Sequence, residues 1–172
     1  MDWYVTILRV LHISAGVYWV GAGLFMGLIL YPTAIRLGAD GRKYLMAMHK
    51  SRIFVLSMPV VSIVTTVAGL LLYAKVTNNF EAEIMKTTKN WVLSVGIVAG
   101  FLAFGHGLFA MSMMDNKFGK LAKQIESQPD GATSEQDAQL ATMTEKLSLH
   151  AKISAGLAVI AVVFMAGHRY VA

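Results

Sequence analysis

His150 and His168 stand eighteen positions apart, at the two ends of an almost unbroken apolar run from Ile153 to Ala166. At about 100° per residue that separation is roughly five whole turns, so both imidazoles leave a helix on one face. At about 1.5 Å rise per residue they sit roughly 27 Å apart, close to the hydrocarbon thickness of a bilayer. One membrane helix thus offers a metal-capable ligand at each surface. The other three histidines sort by level: His12 with His168 at one surface, His106 with His150 at the other, and His49 just ahead of the second apolar segment. Ionisable residues in membrane spans are costly and usually face the bundle interior or a cavity.

Two ligand sets could use this arrangement. In haem b ligation, imidazoles from two helices hold the iron axially, small residues make room for the ring, and basic residues answer the propionates. One haem would take His12 and His168, with Arg9, Arg169 and Tyr170 near the propionates. A second would take His106 and His150, with Lys152 and Arg52 as propionate partners and His49 as a substitute ligand. The other set is copper: Met46-x-Met48-His49 and Met111-x-Met113-Met114, with His106, place thioethers and imidazoles at one surface, and such ligands suit Cu(I). Eleven methionines are also ordinary filler for a membrane chain.

The composition places these residues in a membrane. The chain has 172 residues, 56% of them hydrophobic, and a mean hydropathy of +0.57. Its apolar residues come in blocks. Four blocks are long enough to span a bilayer as helices, at about 11–35, 53–74, 91–114 and 149–170. The fold class expected is all-α, a single domain over 1–172 forming a four-helix transmembrane bundle with a helical cytoplasmic loop at about 115–148. No cleavable signal peptide is apparent. The absence of cysteine excludes disulfides, iron–sulfur clusters and thiolate-bound haem or zinc. A net charge of +5 reads as basic residues gathered at cytoplasmic helix ends rather than as a nucleic-acid surface. Ten Lys and Arg lie on the side of the first and third loops and five on the other, which turns both termini outward and the longer loops to the cytoplasm of a bacterial inner membrane.

Local signals position the elements. Trp3 and Tyr4 suit an interfacial aromatic belt. The stripe Gly16, Trp19, Gly23 and Gly27 lets a helix or a flat ligand approach the first span closely. Tyr31-Pro32 predicts a kink or an early stop. Loop 36–50 is basic and partly helical in pattern. In the second span Ser62, Thr65 and Thr66 are placed to satisfy carbonyls freed by Pro59. Gly96, Ala99, Ala103 and His106 share one face of the third span, which continues as a helix over 115–127. Pro129-Asp130-Gly131 makes a turn, and Ser134 reads as the N-cap of a helix that runs on into the fourth span. Ile-Ser-Ala-Gly occurs at both 13–16 and 153–156, weak evidence of duplication.

His12 followed by Trp19, Gly21-Ala22-Gly23-Leu24-Phe25 and Tyr31-Pro32 resembles the first helix of a superfamily of small membrane proteins. That superfamily includes the copper-resistance D family and the haem-containing membrane protoporphyrinogen oxidases. The second helix, with Pro59 and Ala68-Gly69-Leu70, and the third, with Trp91 and His106, are similar to it as well. The resemblance covers about the first two-thirds of the chain. For the oxidases it implies haem-related roles for His12 and His106. Their His-x-Lys at the start of the third helix is replaced here by Trp91-Val92-Leu93-Ser94, and a His150-Ala151-Lys152 begins the fourth span instead. The expectation is therefore a haem b protein of membrane electron transfer. It would work with a quinone, with other redox subunits or as a homodimer. A copper-handling transport protein, a quinone-linked oxidase and a structural subunit without cofactor are the alternatives.

Overall fold

The computed structural model describes residues 2–171. Over these the chain is helical, with no strand. Helix α1 runs Trp3–Arg36, α2 Ala39–His49, α3 Arg52–Val76, the single turn α4 Ala82–Met85, α5 Thr88–Glu126 and α6 Ser134–Tyr170. Among the described residues α1, α3, α5 and α6 are long and apolar enough to cross a membrane. The protein is an all-α membrane bundle.

The helix ends follow side-chain chemistry. Asp2 caps α1, its carboxylate accepting from the Tyr4 and Val5 amides. Ser51 caps α3 and Thr87 caps α5. At α6 the cap is Thr133, not the expected Ser134. The Thr133 hydroxyl accepts from the Gln136 amide at 3.2 Å while the Gln136 side chain accepts from the Thr133 amide at 2.9 Å, so the reciprocal box settles the start one residue earlier. Gly131 makes the preceding turn with φ +74°. Pro32 does not stop α1. A widened turn, Met26–Leu30, precedes it, with the Tyr31 amide donating to the Met26 carbonyl, and the helix continues to Arg36. Nor do the α3 hydroxyls serve the carbonyl that Pro59 leaves free, that of Val55. Ser62 donates to the Pro59 carbonyl and Thr65 to that of Val61.

In the bundle α1 packs chiefly on α3 and α5 chiefly on α6, with α1 also against α6. Small residues make these contacts. Ala99, Ala103, Ala155, Ala158 and Ala161 are buried, and the outward faces carry exposed aliphatics such as Val17, Leu28, Val98 and Val163. Lipid is as apolar as leucine, so close backbone approach rather than apolar burial holds such helices together. The glycine stripes belong to this packing. A Cβ on Gly96 would lie 3.1 Å from the Ala161 carbonyl oxygen, one on Gly27 3.1 Å from the Ala151 carbonyl carbon, and one on Gly16 3.5 Å from the Thr65 methyl.

The large buried side chains lie at the other end, where α5 and α6 run on past the hydrophobic stretch. There Phe118, Leu121, Ala122 and Ile125 recur at helical spacing and meet Leu45 of α2, Tyr31 of α1, and Leu140 and Leu147 of α6. Charged pairs clip α2 onto this lobe: Arg42 Nε donates to Asp137 at 2.8 Å, Lys50 pairs with Glu126, and His49 meets Asp115.

Candidate metal centre

The structure brings two of the five histidines together. His106, on the last full α-helical turn of α5 before its widened turn at Gly107–Met111, faces His150 of α6. His106 Nε2 lies 3.0 Å from His150 Nδ1, and the rings are 5.0 Å apart, tilted by 38°. On its far side His106 Nδ1 lies 2.7 Å from the Ser154 hydroxyl, one turn beyond His150 on α6. When Nδ1 carries the proton and donates to Ser154, Nε2 presents its lone pair to His150. This is how oriented metal-ligand histidines are held: the second ring nitrogen donates to an oxygen that fixes tautomer and ring plane. Ser154 was not singled out by the sequence, although its position four residues after His150 puts it on the same face.

Distance decides which metal group suits the pair. Imidazole–metal bonds are about 2.0–2.1 Å, so ligands on opposite faces of a haem iron stand about 4 Å apart. At 3.0 Å the two nitrogens are hydrogen-bonded, His150 Nδ1–H donating to His106 Nε2 when His106 donates to Ser154. Once that proton is lost, the same separation would match neighbouring ligands of one ion, at an angle of about 90–95° for such bonds. Gly27 admits the α6 backbone at Ala151, beside His150, whereas an added Cβ on Gly105 or Gly107, which flank His106, or on Gly23 would meet nothing within 4 Å.

The outer pair is not assembled. Among the described residues no hydrogen bond or ring contact joins His12 to His168. His12 Nδ1 donates to the Thr65 carbonyl of α3 at 2.8 Å, in a place that Gly69 leaves open: a Cβ there would lie 2.6 Å from His12 Cε1. His168 sits in the closing turn of α6, its Nδ1 2.6 Å from the Met165 carbonyl, and that turn packs on α5. Arg9, Arg52, Lys152, Arg169 and Tyr170 are exposed. His49 is engaged at both nitrogens, by the Leu45 carbonyl at 2.8 Å and Asp115 at 2.7 Å, and in this state offers no lone pair. The methionines expected to bind Cu(I) are core filling: Met46, Met48, Met111 and Met114 pack on the inner core, while Met113 is exposed.

Among the described residues no group of three or more His, Asp or Glu could hold an ion. The His106–His150 cluster holds two imidazoles and the Ser154 hydroxyl. Replacing Ser154 with alanine is expected to weaken metal binding about 10- to 100-fold, the usual effect of losing such an orienting partner. A competition titration against a chelator of known affinity checks this. Comparison with known protein families, curated proteins and solved structures gives no match for this chain.

Proposed function

We propose that this is a copper-handling integral membrane protein whose ion is held by His106 and His150 near the cytoplasmic end of the bundle. The observation that carries the reading is the 3.0 Å separation of His106 Nε2 and His150 Nδ1 on two packed membrane helices. Imidazole nitrogens at nearly right angles suit the tetragonal nitrogen and oxygen sites of Cu(II), and copper heads the affinity order for such ligands. Structural metal sites are closed by four protein ligands; two suit an ion that is taken up and handed on. Ten of the fifteen basic residues lie on the side that carries the lobe, which orients that side to the cytoplasm.

The test is copper content and spectroscopy of the detergent-purified chain after copper loading and removal of excess. The expected result is a single bound copper per chain, with an electron paramagnetic resonance signal split by two imidazole nitrogens. A Soret band with sharp reduced α and β bands from protein expressed with ample haem would restore the haem reading. Copper bound without nitrogen splitting would also overturn the proposal.

A further inference from the structure

We propose that His49 and Asp115 form a partly buried proton-binding site that locks helix α2 onto the inner lobe and releases it when the proton leaves. The inference stands on acceptor geometry and is independent of copper binding. His49 Nδ1 faces the Leu45 carbonyl at 2.8 Å, and a carbonyl only accepts, so Nδ1 carries a proton. His49 Nε2 faces Asp115 Oδ1 at 2.7 Å. A proton must lie between these two atoms as well, on the imidazole or on the carboxyl. The pair therefore holds one proton more than a neutral histidine beside a carboxylate. Its removal leaves a nitrogen lone pair and a carboxylate oxygen facing each other where the His49 side chain is only 7% exposed, and a buried polar contact without its proton is repulsive.

The surroundings make the pair a lock rather than a surface contact. The His49 ring packs on Phe118 at 4.8 Å and Phe54 at 5.7 Å, so the imidazole is the peg by which α2 is seated. From α1 the Tyr31 phenol lies within the field of Asp115; it is 1% exposed and its hydroxyl has no partner among the described residues. From α6 the packed face presents Leu140, Thr144 and Leu147, none of which titrates. The other charged groups are paired away from it, Arg42 with Asp137 and Lys50 with Glu126, or exposed, as are Arg52, Lys117, Lys120, Glu145 and Lys146.

Burial alone would lower the His49 pKa, but the hydrogen bond and charge of Asp115, with the Leu45 carbonyl, outweigh it and raise the pKa above 6.5. A raised folded-state pKa gives stability that is complete below the unfolded value and lost as pH rises through the folded one. The lock is thus closed at pH 6.5 and opens on the alkaline side of it.

Selective nitrogen-15 histidine NMR of the full chain in nanodiscs, with amide hydrogen exchange of residues 39–49, tests this. The expected result is a His49 signal titrating above 6.5, and exchange in α2 that accelerates about tenfold or more through the same pH range, the size of a charge-assisted hydrogen bond. In Asp115→Asn the midpoint is expected to fall below that of the wild type, since burial, the largest influence, is then opposed by the Leu45 carbonyl alone. The wild-type titration decides even if that variant folds poorly. A His49 that titrates at or below 6.5 in the wild type, or α2 exchange that ignores its deprotonation, overturns the proposal.

Discussion

Alanine at either position 106 or position 150 is expected to weaken copper binding by about 100-fold or more, beyond the range seen for orienting partners alone. Two ligands fixed on one scaffold bind an ion as a single intramolecular step, so the loss of one imidazole removes that advantage as well as a bond. The two variants are expected to behave alike and the double variant to add little, because neither ring holds the ion by itself. Folding is expected to persist: both side chains are half-buried rather than in the core, and alanine is the best helix former. His12→Ala and His168→Ala are expected to leave copper binding unchanged, since those rings are directed at the Thr65 and Met165 carbonyls. Titration of the four variants beside the wild type checks this. Copper retained in full by His106→Ala, or lost equally with His12→Ala, would sink the assignment.

The largest expected loss of stability comes from a single methyl group at Gly41. A Cβ there would lie 2.1 Å from the Ala34 carbonyl oxygen and 2.6 Å from the Ala34 Cα. Both are backbone atoms at the end of α1, where no side chain can rotate away. Overpacking typically destabilises by about 1–3 kcal/mol, and Gly41→Ala belongs at or above the top of that range because α2 must move bodily. Gly21→Ala is the control: nothing lies within 4 Å of its added carbon, and removing a glycine from a helix stabilises by about 0.5–1 kcal/mol. Thermal unfolding in detergent is expected to show a clear fall in Tm for Gly41→Ala and none for Gly21→Ala. An unchanged Tm for Gly41→Ala would mean that α2 is not docked on α1 as described.

Depth in the membrane was legible in the residues; direction around each helix was not. Hydrophobic length placed four spans, and counting residues placed His106 and His150 at one level and His12 and His168 at the other. Only the first pair meets, because α5 packs on α6 whereas α1 gives its His12 face to α3. Which helices become neighbours depends on small residues such as Gly96 and Ala161, whose close approach has no counterpart in a hydropathy profile. The same stripes admit a helix or a flat ligand equally well in sequence, and the structure shows Gly16, Gly27 and Gly96 admitting helices while Gly23 faces open space. Asp115 was hidden for a related reason. It sits nine positions after His106, and only the docking of α2 reveals that its partner is His49, more than sixty residues earlier.

The two long helices differ just beneath His106 and His150. α6 passes from the lobe through His150 without interruption, whereas α5 carries its widened turn, Gly107–Met111, directly below His106. A wide turn is where a helix most readily bends. α5 therefore has its point of easiest bending immediately below His106, while α6 runs stiffly through His150, so any flexing between lobe and bundle falls on the side of one imidazole and not the other.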